Sequence, residues 1–190
     1  MTRQNRVTPA GNLISTAARG TMMGNRGVLH DDTGRIVRNS QVRRWITCEV
    51  EFRGRRREVM APGRYTELFF LDEAVAFAAG HRPCAECRHG DYREFRRLWP
   101  GTGRRADEID RELARERGRA TETVDPPAGA FVALDDECWL VTGDRLARWT
   151  PSGYADRLPV PSSAVAMLTP PSTAAVLAAG YRPRLHPTSA

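Results

Sequence analysis

The sequence has no lysine, and all 29 of its basic residues are arginine. A GC-rich genome produces the same bias, yet the physical consequence stands. The net charge of +6 is carried by groups that stay protonated and bind phosphate as a two-pronged fork, so nucleic acid is the expected partner class. No apolar run approaches the roughly 20 residues needed to cross a bilayer, and no membrane partner is expected. The start, Met-Thr-Arg-Gln-Asn-Arg, leads into no signal-peptide core, which makes the cytoplasm the expected compartment. Cysteines are few, four in all, and in a reducing compartment they point to metal or free thiols before disulfides. No serine, histidine and acid constellation suggests a hydrolase. Gly24-Asn25-Arg26-Gly27 matches no phosphate-binding loop, so no nucleotide cofactor is expected.

What is present concentrates between residues 65 and 89. Leu68, Phe69, Phe70 and Leu71 form a short apolar run suited to a buried strand. Asp72 can cap a helix, Glu73 adds favourable charge to its first turn, and Ala74 to Ala79 continue it until Gly80 ends it. Pro83 is suited to the first turn of a second helix carrying Cys84 and Cys87. Thiols at that spacing on a helix start face one side, which is how a Cys-x-x-Cys pair grips zinc.

The order strand, capped helix, Gly-x-Arg-Pro-Cys-x-x-Cys resembles the second half of the Ada-type zinc domain, the methylphosphotriester-repair module of bacterial adaptive-response proteins. The matching residues are Phe69, Phe70, Glu73, Ala74, Ala78, Ala79, Gly80, Arg82, Pro83, Cys84 and Cys87, about a tenth of the chain. The resemblance implies zinc on Cys84 and Cys87, Arg82 near a nucleic-acid backbone, and DNA rather than RNA as the partner. That family also has an upstream Cys-x-x-x-Cys pair whose first cysteine accepts a methyl group. Here only Cys48 precedes the motif, so methyl transfer does not carry over directly.

Zinc in a closed site takes four ligands. Cys48 ranks first among further candidates and His30 second, ahead of His81, His89 and Cys138. Ile46, Cys48, Val50 and Phe52 share one face of an expected strand, so Cys48 reads equally as a buried structural thiol. His30 stands before an Asp32-Thr33-Gly34 hairpin loop, from which it could reach the Cys-x-x-Cys pair, and the plainer reading is a surface or turn histidine.

Arg43, Arg44, Arg53, Arg55, Arg56 and Arg57 bracket the expected hairpin formed with a second strand over 58–60. They either track a phosphate backbone or keep a solvated edge from aggregating. Beyond Cys87 the helix is expected to run to Trp99, with Tyr92, Phe95 and Leu98 as core stripe and Arg88, Arg93, Arg96 and Arg97 as a basic face. A charged helix is expected over 104–119, and then four short strands with Trp139 and Trp149 as packing anchors. Residues 174–183 echo residues 74–83 without the cysteines.

The expected fold class is α+β: short antiparallel strands with a zinc-binding Cys-x-x-Cys helix and a small C-terminal β meander. Residues 1–119 form the zinc-binding core, and residues 120–190 pack on it. The expected function is a zinc-stabilised nucleic-acid-binding protein. The alternatives are a zinc-dependent enzyme acting on nucleic acid, as a cysteine alkyl acceptor or in the manner of a deaminase, and a purely structural zinc protein.

Overall fold

A computed structural model describes residues 2–54 and 58–190. Six strands form a first, mixed sheet: β1 Gln4–Val7, β2 Leu13–Ser15, β3 Met22–Asn25, β4 Ile46–Glu49, β5 Leu68–Phe70 and β6 Arg82–Pro83, in the order β2-β1-β5-β3-β4-β6. Six more form a second, antiparallel sheet: β7 Thr121–Thr123, β8 Phe131–Leu134, β9 Glu137–Val141, β10 Arg145–Thr150, β11 Gly153–Pro159 and β12 Val165–Met167, in the order β11-β10-β9-β8-β12-β7. The helices are α1 Glu73–Ala78, α2 His89–Leu98, α3 Ala106–Glu116 and α4 Pro171–Ala178. None among the described residues is long and apolar enough to cross a membrane.

The short helix α1 joins the two sheets. Its six residues are all buried, and Asp72 caps it by accepting the Val75 N–H at 3.0 Å. Phe77 packs with Phe95, Ile109, Val132, Val141 and Val176, while Ala74, Val75 and Ala76 pack with Phe70, Phe131 and Tyr154. Apolar contacts thus run without a break across residues 119 and 120, because a helix buried on every side must be covered from both directions.

The helix ends as its sequence predicts. Gly80 takes φ of 84°, the Gly80 N–H reaches the Phe77 carbonyl, and the His81 N–H reaches the Ala76 carbonyl. The echo at 174–183 has the same ending: Gly180 at φ of 110°, with Gly180 N–H to Leu177 and Tyr181 N–H to Val176. In both places alanine-rich helix followed by glycine yields one cap geometry.

Two expectations are corrected. The second helix does not start at Pro83; Arg82 and Pro83 pair in parallel with Ile46 and Thr47, and α2 begins at His89. The Arg82 and Cys84 N–H groups reach the Trp45 and Thr47 carbonyls, while Pro83, between them, sits where an edge strand needs no donor. Among the described residues the long strand and its hairpin partner are also absent. Only Ile46–Glu49 enters the ladder, since β3 offers four residues, and the chain then turns at Arg53 and Gly54 with φ of 53° and 65°. Met60 turns as well, at φ of 59°, its N–H held by the Glu67 carboxylate at 2.7 Å. Gly24 lies in β3, where a Cβ would meet the Ile46 carbonyl oxygen at 2.2 Å.

Candidate metal centre

The parallel pairing of β4 with β6 sets Ile46 opposite Arg82 and Thr47 opposite Pro83. One further step in that register brings Cys48 beside Cys84. The chain then turns through Ala85 and Glu86 and returns Cys87 to the same spot, just before α2. The three sulfurs lie within 4.8 Å of one another. Tetrahedral zinc with bonds of about 2.3 Å places thiolates roughly 3.8 Å apart, so small shifts seat an ion.

The donor set suits a soft or borderline divalent metal. The Glu86 N–H points at the Cys84 sulfur at 3.4 Å. The Cys48 thiol, then that of Cys87, hydrogen-bonds to Cys84 and holds it well below the ordinary thiol range, and Cys48 is pushed up because its proton serves Cys84. One of three crowded thiols ionises readily and the others resist, a conflict that a divalent cation removes. Among the described residues no fourth histidine, cysteine or carboxylate joins the group.

Elements around the cysteines are held by ion pairs. The Arg88 guanidinium, following Cys87, meets Glu73 at 2.7 Å and Asp91 at 2.7 Å. Arg184 reaches Glu49, following Cys48, at 2.7 Å and Asp91 at 2.7 Å. Burial pushes the Glu73 carboxyl up while Arg88 pulls against it, and Tyr181 donates to the same carboxylate at 2.9 Å. The strand end and the turn end are thereby clamped through the C-terminal segment. On the other flank, the guanidinium carbons of Arg26 and Arg117 lie 3.9 and 4.1 Å from the Trp45 ring centre, anchoring the entry to β4. Burial, and secondarily Arg117, brings Arg26 down to about 9.

All three cysteines line a cleft of about 1170 Å³. Ile46, Val50, Phe52, Tyr65 and Phe69 give it an apolar and aromatic wall, and its charged lining is mixed, with Arg44 and Arg53 set against Glu49, Glu51, Glu67 and Glu86. The face expected to carry Cys48 into the core therefore opens onto this cleft. Val50 on that face is 45% exposed.

Other expected site residues fare differently. His30 lies outside the sulfur cluster: its ring nitrogens contact the Thr66 hydroxyl at 2.6 Å and the Ala61 carbonyl at 3.3 Å. Arg82 and Arg88 are each 2% exposed and cannot meet a nucleic-acid backbone. Arg82 forms a forked pair with Asp110 at 2.8 and 2.9 Å, and Arg88 serves the clamp. Both were expected on the surface because an arginine's sequence neighbours do not reveal a distant carboxylate. Arg43 and Arg44 are exposed; Arg55, Arg56 and Arg57 lie outside the described residues. His81 packs against Trp45 and Phe70, and its burial, together with Arg26 and Arg117, keeps it neutral. Cys138 is half-buried in β9, outside the cluster. The Glu49, Arg184 and Asp91 clamp went unforeseen, since no local pattern marks it.

Comparison with protein families, curated proteins and solved structures finds nothing that matches this chain. The site stands on its own geometry.

Proposed function

We propose that this is a zinc protein that binds DNA, with the metal held by Cys48, Cys84 and Cys87 at the wall of the ligand cleft and its remaining coordination position turned toward that cleft. One observation carries the reading: the three sulfurs converge without a fourth side-chain ligand among the described residues and open onto a ligand-sized space. Aromatic side chains on the cleft wall suit stacked bases. Four free cysteines accord with a reducing, cytoplasmic setting. The Ada-type resemblance supports the same partner.

Cobalt(II) substituted for zinc reports its own coordination through its visible absorption. Titrating the cobalt protein with a short single-stranded DNA should shift those bands as the ligand enters the cleft. Failure to bind one metal per chain, or DNA binding that leaves the spectrum untouched, would separate metal from cleft and refute the reading.

The ligand count also favours a second reading, an enzyme acting on nucleic acid. Three protein ligands with an open position is the pattern in which bound water becomes a nucleophile. Release of ammonia from cytosine- or adenine-containing DNA would establish it, and its absence would leave the binding function alone.

A further inference from the structure

A second concavity, of about 240 Å³, is lined by Arg93, Arg96 and Arg97 of α2 and by Arg104 of the following turn. Among the described residues one carboxylate serves these four guanidinium groups: Glu94 pairs with Arg97 at 2.7 Å. Arg96 donates to the Arg104 carbonyl at 2.6 Å and lies over the Tyr92 ring, while the Arg104 guanidinium is tied, among the described residues, to the Gly101 carbonyl at 3.5 Å. Arg93 has no partner among the described residues and is exposed.

The helix dipole accounts for part of this arrangement. Cations in the last turn of a helix are favourable, which covers Arg96 and Arg97. It does not cover Arg93, a full turn earlier, where a like charge four residues from Arg97 works against the helix. Nor does it cover Arg104, outside the helix, whose charge is added to the same groove. A bound anion would offset the repulsion that the folded chain itself leaves uncompensated.

We propose that this groove is a phosphate site for a nucleic-acid backbone, with Arg93 and Arg104 as its principal contacts. The proposal rests on the DNA-binding reading above and gives that reading a surface in place of the buried Arg82 and Arg88. Guanidinium forks match the paired oxygens of a backbone phosphate. At about 1.5 Å rise per residue, Arg93 and Arg97 stand roughly 6 to 12 Å along α2 from its first residue, His89, two positions after Cys87.

The test uses the full zinc-loaded chain and a fluorescein-labelled 20-nucleotide single-stranded DNA, with anisotropy followed over a salt series. Each lost phosphate contact lowers the logarithmic salt slope by about 0.7 for single strands. The double variant Arg93→Gln/Arg104→Gln should lose about 1.4 from the slope and at least about 10-fold in affinity near 0.1 M salt. The pair Arg93→Lys/Arg104→Lys should keep most of the slope. A charge-matched exposed pair that does not line the groove, Arg119→Gln/Arg145→Gln, should behave as the native chain. If the two glutamine pairs weaken binding equally, or neither does while the native chain binds, the groove is not the site and the DNA-binding reading survives. If the native chain binds no DNA, both readings fall together. Competition by polyglutamate as effective as by unlabelled DNA would overturn the phosphate assignment in favour of an acidic protein partner.

Discussion

Replacing Cys48 with serine separates a metal centre from a chance meeting of thiols. Serine keeps the side-chain shape, but its hydroxyl does not ionise near neutral pH and is a poor partner for a soft site. Structural zinc sites bind with roughly 10–16 kcal/mol over four ligands, so one ligand accounts for roughly 2.5–4 kcal/mol. That corresponds to about 70- to 900-fold in Kd. With three cysteine sulfurs converging within 4.8 Å and no fourth side chain among the described residues to take over, the whole loss should appear. Metal competition against a chromophoric chelator measures it directly, and Cys138→Ser, outside the cluster, should leave Kd unchanged. Stability follows by linkage. Metal at 1,000 times Kd contributes about 4.1 kcal/mol, which for a chain of this size is roughly 8–16 °C in Tm. A strong chelator should remove that increment from the native protein and far less from Cys48→Ser. Native-like Kd in Cys48→Ser would refute the three-thiolate centre, whatever the melting behaviour.

Three further outcomes test the scaffold. Phe77→Ala empties a fully buried position packed against Phe95 and Tyr181 at centroid distances of 5.5 and 5.4 Å, and it should cost roughly 3–5 kcal/mol in a single calorimetric transition; two separate transitions would contradict a core shared between the sheets. Arg82→Gln strands the Asp110 carboxylate and should cost roughly 3–5 kcal/mol while leaving the salt slope of DNA binding unchanged; a lower slope would return Arg82 to the interface. Burial raises the Asp72 carboxyl above its ordinary range, against bonds from His186, Val75 and Tyr154, so the native state holds this proton more tightly than the unfolded chain. Its contribution to stability is therefore greatest below about pH 4 and declines as pH rises toward the raised value. Asp72→Asn should flatten that component in urea titrations across pH, at a uniform cost of about 1–3 kcal/mol, and an unchanged pH slope would show that Asp72 does not titrate as argued.

Much of the local structure was legible in the residues themselves. Asp72 as cap, Gly80 as helix end and the apolar strand before them are determined by neighbours within a few positions, because capping bonds and left-handed turns are short-range requirements. The Cys84 and Cys87 pair, and Cys48 as its first-ranked companion, were likewise readable from ligand chemistry. Only the tertiary structure decided that Cys48 and Cys84 meet, since a parallel pairing between β4 and β6 sets that register, and that Pro83 continues a strand where a helix was expected. It also sent Arg82 and Arg88 inward to Asp110 and Glu73, tied Arg184 to Glu49 and Asp91, and kept His30 with Thr66. The division has one physical cause. Backbone preferences act through adjacent residues, whereas a charge or a ligand takes its role from whatever partner packing brings within about 3 Å, and that partner is distant in sequence.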